Sequence, residues 1–306
     1  MLYFWILFNV FALAMLVLDL RIFPVKVGSR GAMGRSALWL GLAAAFAAAV
    51  FFWQGRAVAI EFVTGYVLEL SLSVDNLFIF LLIFRYFAVP EEHQQRVLSW
   101  GILGALLMRG AFILTGVGLI HRFHWIFYVL GALLIYSGIR LGFAGEHQVN
   151  PAKNPAVRAL RRILPVTDSF QGGKFFVRNW QGKPGLYATP LLIVLAVVET
   201  TDFIFAIDSI PAVLAITINA FIIYTSNVFA ILGLRSLFFV VAGLMRAFRF
   251  LHSGLAVILV LMGVKMIAED RVKISTPVTL GIVAAVLALS IFASVLWPAA
   301  DNRRSS

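Results

Sequence analysis

The chain has 306 residues, of which 61% are hydrophobic and only 13% are charged, and its mean hydropathy is +0.96. A soluble globular protein of this length could not keep so much apolar surface away from water, so the composition indicates a polytopic membrane protein. The net charge of +11 does not indicate a nucleic-acid partner, because the basic residues lie between apolar segments. Cysteine is absent, which excludes disulfides and thiolate ligands.

Hydropathy along the chain predicts an all-α protein with about nine transmembrane helices. The predicted spans are 2–20, 38–53, 61–87, 98–119, 125–142, 187–219, 225–245, 250–268 and 277–297. Basic residues concentrate in the loops on one side of these spans, so the positive-inside rule predicts an outside N-terminus and a cytoplasmic C-terminus. No basic residue precedes the first apolar run, and we therefore expect it to remain as a helix rather than to be cleaved.

An acidic pattern occurs twice inside these apolar spans. Glu69 and Asp75 lie six residues apart in VLELSLSVDNLFIF, and Asp202 and Asp208 have the same spacing in VVETTDFIFAIDSIPAVLAIT. An Asp in the middle of a membrane helix costs about 2.5–3.5 kcal/mol on insertion scales, so a duplicated acidic motif needs a functional reason. Its first interpretation is a cation site.

The repeat extends beyond the acids. GALLMRGAF around Arg109 matches ILGLRSLFF around Arg235, and LIYSGIRL matches LVLMGVKM further on. Three spans therefore correspond to three spans, and because three is odd the second copy enters the membrane from the opposite side, which gives an inverted repeat. The predicted organisation has five parts: N-terminal helices outside the repeat (1–60), the first three-helix repeat (61–143), a basic cytoplasmic linker (144–186), the second, inverted repeat (187–268), and a C-terminal helix and tail (269–306).

Carboxylates outnumber cations at membrane depth. The acids are Glu69, Asp75, Glu199, Asp202 and Asp208, and the basic residues at similar depth are Arg109 and Arg235. Like charges crowded in a low dielectric either take up protons or attract a cation, and a divalent metal suits this surplus. For the two arginines, a structural ion pair across the repeat interface and a gating role are both open.

Helical geometry limits how these acids can act. Six residues turn a helix by about 240°, so both acids of one motif cannot point at one ion from an unbroken helix. Either the helix opens, or the acids have different roles. Further oxygen atoms come from supporting residues in the same motifs, namely Ser73, Asn76, Thr201 and Ser209. A set made only of oxygen ligands suits Mn²⁺, Ca²⁺ or Mg²⁺ better than Zn²⁺ or Cu⁺.

These motifs resemble those of a known family. The segments GYVLELSLSVDNLFIF, VVETTDFIFAIDSIPAVLAIT, SNVFAILGLRSLFF and LAVILVLMGVKM, between about Gly65 and Met266, resemble the TerC family of bacterial integral membrane proteins, and within it the Alx-type manganese exporters. The resemblance implies a multi-pass protein of the bacterial inner membrane, in the wider group of LysE-like transporters, that exports Mn²⁺ from the cytoplasm. It also implies an acidic motif at Glu69, Asp75, Asn76, Glu199, Asp202 and Asp208.

The leading functional interpretation is a Mn²⁺ exporter with a carboxylate site at the membrane midplane and with proton antiport as a natural coupling. Mn²⁺ is then a transported substrate, Ca²⁺ is an alternative cargo, and no tightly bound organic cofactor is expected. The alternative is a non-transporting membrane factor in metal homeostasis or in envelope or tellurium stress resistance. An intramembrane protease using Asp75 and Asp208 is disfavoured, since Tyr-Asp and Gly-x-Gly-Asp contexts are absent. We therefore expect no enzyme, and the sequence carries no signal for an oligomeric state.

Overall fold

The structure, a computed structural model, describes residues 2–22, 30–123, 125–143, 155–244, 250–268 and 271–296. These ranges form ten α-helices and one antiparallel two-stranded sheet. The helices are α1 (Leu2–Ile22), α2 (Arg30–Gln54), α3 (Arg56–Tyr86), α4 (Glu91–Arg122), α5 (Ile126–Phe143), α6 (Pro155–Ile163), α7 (Pro190–Leu214), α8 (Ala220–Leu244), α9 (Leu251–Ala268) and α10 (Thr276–Leu296), and the strands are β1 (Phe176–Trp180) and β2 (Lys183–Ala188).

All helices except α6 coincide with the predicted spans. Seven of them, α2 to α5, α7, α9 and α10, are long and apolar enough over their described residues to cross a membrane. Helices α1 and α8 carry shorter apolar stretches, at Tyr3–Leu18 and Ala220–Leu234. The all-α class and the integral membrane character are therefore confirmed, and the number of nine spans stays a prediction.

The described part of the predicted linker is folded. In α6, Val157 is buried against the bundle while Arg161 and Arg162 are exposed, so this short helix is amphipathic. Strands β1 and β2 then form a hairpin in which Phe176 pairs with Ala188. The sequence predicts a basic linker here. The short helix and the hairpin are therefore folded elements beyond that expectation.

Helix packing joins the two halves of the chain. Helix α3 packs on α8, α4 packs on α7, and α5 packs on α9. Contacts also join α3 to α7 and α4 to α8. If α3, α4 and α5 are exchanged with α7, α8 and α9 in that order, the same set of contacting pairs results. Two units related by a two-fold axis are expected to show this property. The inverted repeat itself rests on the sequence match and stays a prediction.

Glycines allow α5 and α9 to approach closely. A Cβ atom on Gly263 would lie 2.6 Å from the carbonyl oxygen of Gly131, and one on Gly138 would lie 2.8 Å from the carbonyl oxygen of Ala256. Both distances are too short for a side chain. Helices in membranes often pack through such small residues, because no hydrophobic force drives them together in lipid.

The helices outside the predicted repeat cover its flanks. Phe8 of α1 and Phe46 of α2 pack against Phe229 of α8, with ring centroids 5.8 and 5.1 Å away. Phe62 of α3 joins the same cluster. Helix α10 packs on α9 and α3. These contacts form a scaffold that holds α3, α4, α7 and α8 around the polar residues described next.

Candidate functional site

A buried arginine lies between the two halves. Arg109 on α4 is only 2% exposed, and its Nη1 donates a hydrogen bond to Glu69 Oε2 of α3 at 2.7 Å. Its Nη2 donates to Asp202 Oδ1 of α7 at 3.2 Å. Both carboxylates are buried, and Glu69 is 0% exposed. One guanidinium thus forms ion pairs with an acid from each acidic motif, and such charge-assisted hydrogen bonds are among the stronger ones.

The two acids of the second motif have different neighbours. Arg109 Nη1 also donates to Ser209 Oγ at 3.3 Å, and Ser209 lies two helical turns after Asp202 on the same face of α7. Asp208 instead accepts a hydrogen bond from Ser137 Oγ of α5 at 2.6 Å. Helix α7 is continuous between these positions. Asp202 and Asp208 therefore point to different sides, as the six-residue spacing requires of an unbroken helix.

A narrow cavity adjoins Arg109 between α3, α4, α7 and α8. Its polar lining consists of Ser73, Arg109, Glu199 and Asp202, and its apolar lining includes Phe80, Leu98, Ile102, Val198 and Leu234. The Glu199 carboxylate lies against Gly104 of α4, where an added Cβ atom would collide with it. Gly104 therefore provides the space that this carboxylate occupies.

The charges around the cavity do not balance. Among the described side chains, Glu69 and Asp202 pair with the Arg109 guanidinium and Glu199 lines the same cavity, which gives these four groups a formal charge of minus two if all three carboxylates are ionised. Glu69 Oε1 is buried and has no hydrogen-bond partner among the described residues. A buried carboxylate oxygen without a partner is costly, so it favours a proton, a water molecule or a cation nearby.

The other predicted site residues have varied positions. Asn76 is buried on α3, and the Thr201 hydroxyl donates to the Val197 carbonyl of its own helix at 2.7 Å. Asp75 belongs to α3 and Arg235 to α8, but their side chains lie outside the described part of the structure. No group of three or more His, Cys, Asp or Glu residues among those described is placed to hold a metal ion. The predicted metal set therefore stays a prediction.

Two polar residues with interhelix contacts are not among the site residues predicted from the sequence. Ser137 binds Asp208, and Lys265, which is 6% exposed on α9, donates from Nζ to the Ala215 carbonyl at 2.7 Å. The available signal was weak: Ser137 shares the repeated segment LIYSGIRL with Arg140, and Lys265 is the one charged residue of the matching segment LVLMGVKM.

Comparison with known proteins identifies the family. The family described as "Integral membrane protein TerC family" matches residues 54–303. An uncharacterized membrane protein of Myxococcus xanthus is 45% identical over 295 residues, covering 95% of this chain and 92% of the relative. A protein of Escherichia coli strain K12, named as a proposed membrane-bound redox modulator, Alx, is 44% identical over 304 residues, covering 94% and 92%.

A third relative, an uncharacterized membrane protein of Rickettsia bellii, is 36% identical over 296 residues and covers 95% of this chain and 97% of its own length. No solved structure matches the chain. The family match covers most of the sequence and includes both acidic motifs, Arg109 and the helices that surround the cavity. The chain therefore belongs to the TerC family of integral membrane proteins.

Proposed function

We propose that this protein exports a hard divalent cation, with Mn²⁺ as the leading substrate, from the cytoplasm across the bacterial inner membrane. The observation that carries the proposal is the placement of Glu199 and Asp202 on a cavity that reaches the buried Arg109. Carboxylate oxygens are ligands that Mn²⁺ prefers, and the formal charge of minus two on the described groups at the cavity suits a divalent cation. A neutral substrate would gain nothing from this surplus of charge.

The ion pairs suggest how the site could alternate between loaded and empty states. Without metal, Arg109 neutralises Glu69 and Asp202. A cation that binds Glu199 and Asp202 would compete with Arg109 for the Asp202 carboxylate, while Arg109 keeps its shorter contact to Glu69. The guanidinium thus serves as an internal counter-ion. Protons are the natural coupling ion, since carboxylates in a low dielectric take up protons when a cation leaves.

Asp75 and Asp208 remain candidate ligands on the basis of the sequence motif. Asp208 lies on a different face of α7 from Asp202 and is bound by Ser137. It would therefore contact the ion at another step of the path, and not together with Asp202. The proposal accordingly gives Glu199 and Asp202 the first contact with the ion.

Metal flux into proteoliposomes tests this proposal. Purified protein is reconstituted with a Mn²⁺-sensitive dye inside, and the initial rate is compared with that of the Glu199→Gln variant. Glu199 is the best position to change, because it lines the cavity and does not take part in the ion pairs of Arg109. We expect at least a tenfold loss of flux. Glu91→Gln, an exposed acid in the first turn of α4, is the matched control and should keep parental flux.

The same assay should be run with Asp75→Asn and Asp208→Asn. Loss of flux in both would support a path that uses both motifs. Unchanged flux in Glu199→Gln and in these two variants would reject a carboxylate site for transport.

A non-transporting membrane factor is the second candidate. It is favoured by the central ion pairs, because a buried arginine between two carboxylates can serve stability alone. The redox role in the name of the Escherichia coli relative adds a specific version. This chain has no cysteine, so such a role here could not use its own thiols. The second candidate predicts Mn²⁺ binding without net movement, and the flux assay separates the two.

A further inference from the structure

The cavity lies toward one end of the helix bundle. Its lining residues on α4 run from Leu98 to Arg109, two positions about 16 Å apart along the helix axis. It also includes Val198 from the N-terminal half of α7 and Leu234 of α8. We call this end the cavity end, and the opposite end, where α7 finishes near Ala215, the far end. The predicted topology makes the cavity end cytoplasmic.

The far end is closed by direct helix contacts. A Cβ atom on Gly65 of α3 would lie 3.4 Å from Val213 of α7 and 3.0 Å from Ser226 of α8. On α4, a Cβ atom on Gly116 would lie 3.3 Å from Leu214. Val213 is 1% exposed and lies one turn beyond Ser209 on α7, so apolar side chains fill the space beyond the Arg109 site on this side.

Two polar contacts hold the end of α7 in this closed position. The Lys265 ammonium of α9 donates to the Ala215 carbonyl at 2.7 Å. The negative end of the α7 helix dipole lies there and also stabilises the positive charge. The Thr217 hydroxyl donates to Glu61 Oε2 of α3 at 2.7 Å. Together they tie the C-terminal end of α7 to α9 on one side and to α3 on the other. Lys265 and Thr217 are both buried.

The apolar side chains at the far end could pack together without these two polar contacts, so the contacts need another reason. A lysine buried in a membrane helix is costly, and a threonine bound to a carboxylate on another helix fixes the relative position of the two helices. If α7 moves away, both hydrogen bonds must break, and both form again when it returns to the position described.

We propose that Lys265, Thr217 and Glu61 form a gate that keeps the far end closed beyond the Arg109 site. The gate goes beyond the proposed function, since it assigns residues outside the acidic motifs to control of access. The conformation described is then one in which the site is closed toward the far end. Release on the other side requires these two contacts to break and α7 to separate from α3 and α9.

Thiol labelling tests the gate directly, because the chain has no cysteine of its own. Two single-cysteine proteins are made, Ala105→Cys, which lines the cavity, and Val213→Cys, which lies behind the gate. Each is treated from one side at a time with a membrane-impermeant methanethiosulfonate. We expect Ala105→Cys to react only from the cavity end and Val213→Cys to react slowly from both sides.

Gate variants are then added to Val213→Cys. Thr217→Val and Lys265→Met are tested separately, so that one folded variant is enough for the test. Each should speed labelling from the far end by about tenfold, because each removes a hydrogen bond with a charged group. Thr225→Val is the matched control, because the partners of this buried hydroxyl among the described residues are backbone carbonyls of its own helix, those of Phe221 and Ile222, at 2.8 and 3.2 Å. The control should leave labelling unchanged.

Two results would overturn the gate. The first is that Val213→Cys without a gate substitution reacts from the far end as fast as Ala105→Cys reacts from the cavity end. The other is no acceleration in either gate variant when both elute as monodisperse protein. Labelling needs no metal transport, so a protein without Mn²⁺ flux but with the expected labelling pattern would reject the proposed function and keep the gate.

Discussion

Removal of the Arg109 side chain is the most informative perturbation of the central ion pairs. Arg109→Met keeps most of the side-chain volume but leaves Glu69 and Asp202 buried without their guanidinium. Breaking a buried ion pair by removing one partner costs about 3–5 kcal/mol, and here one substitution leaves two carboxylates unpaired. We therefore expect a loss near the upper end, about 5 kcal/mol.

A thermal unfolding assay in detergent measures this loss. Each kcal/mol shifts Tm by about 2–4 °C in proteins of roughly this size, so Arg109→Met should melt about 10–20 °C below the parent. The Tm of Arg109→Lys should lie between those of the parent and Arg109→Met, because a single ammonium cannot reproduce the separate contacts of Nη1 to Glu69 and Nη2 to Asp202. Arg85→Met, an exposed arginine on α3, is the control and should change stability by less than about 0.5 kcal/mol.

A neutral version of the cluster separates charge from packing. Combining Arg109→Met with Glu69→Gln and Asp202→Asn removes the unpaired charges, so most of the lost stability should return. The reasoning is refuted if Arg109→Met melts within about 2 °C of the parent, because the ion pairs would then contribute little. A triple variant no more stable than Arg109→Met would also refute it.

Two further predictions concern glycines. Gly104→Ala should push the Glu199 carboxylate out of its place on the cavity and reduce Mn²⁺ flux severalfold in proteoliposomes, whereas Gly118→Ala on the same helix, with open space around it, should not. Gly263→Ala should force α5 and α9 apart and lower the unfolding free energy by about 1–3 kcal/mol, measured by thermal unfolding. Gly281→Ala, which also meets open space, is its control, and equal stability of the two variants would contradict the close packing of α5 and α9.

The membrane class and the helices could be read from the sequence. Long apolar runs must form helices in lipid, because every backbone N–H and carbonyl needs a partner inside the segment. The helix positions therefore follow from hydropathy, and α3 and α7 lie where the runs around Glu69 and Asp202 predict them. The family could also be recognised, because its motifs are local strings of residues in a fixed order.

Part of the site was also predictable from local geometry. The six-residue spacing forbids Asp202 and Asp208 from meeting one ion on a continuous helix, and their partners, Arg109 and Ser137, do belong to different helices. The charge surplus followed from counting acids and bases in apolar runs. Both arguments need only the rotation per residue and the cost of charge in lipid.

Partners across helices could not be derived in this way. Arg109 could have paired with any of several acids, and only the packing of α7 against both α4 and α3 brings Glu69 and Asp202 to its two nitrogens. The positions of Lys265 beside Ala215 and of Gly104 beside Glu199 depend on the same packing. The sequence by itself determined which segments enter the membrane and how much charge they carry, because hydropathy and charge are local properties. Tertiary structure alone decided which charges neutralise each other, because contacts between helices depend on rotation and distance that no single segment contains.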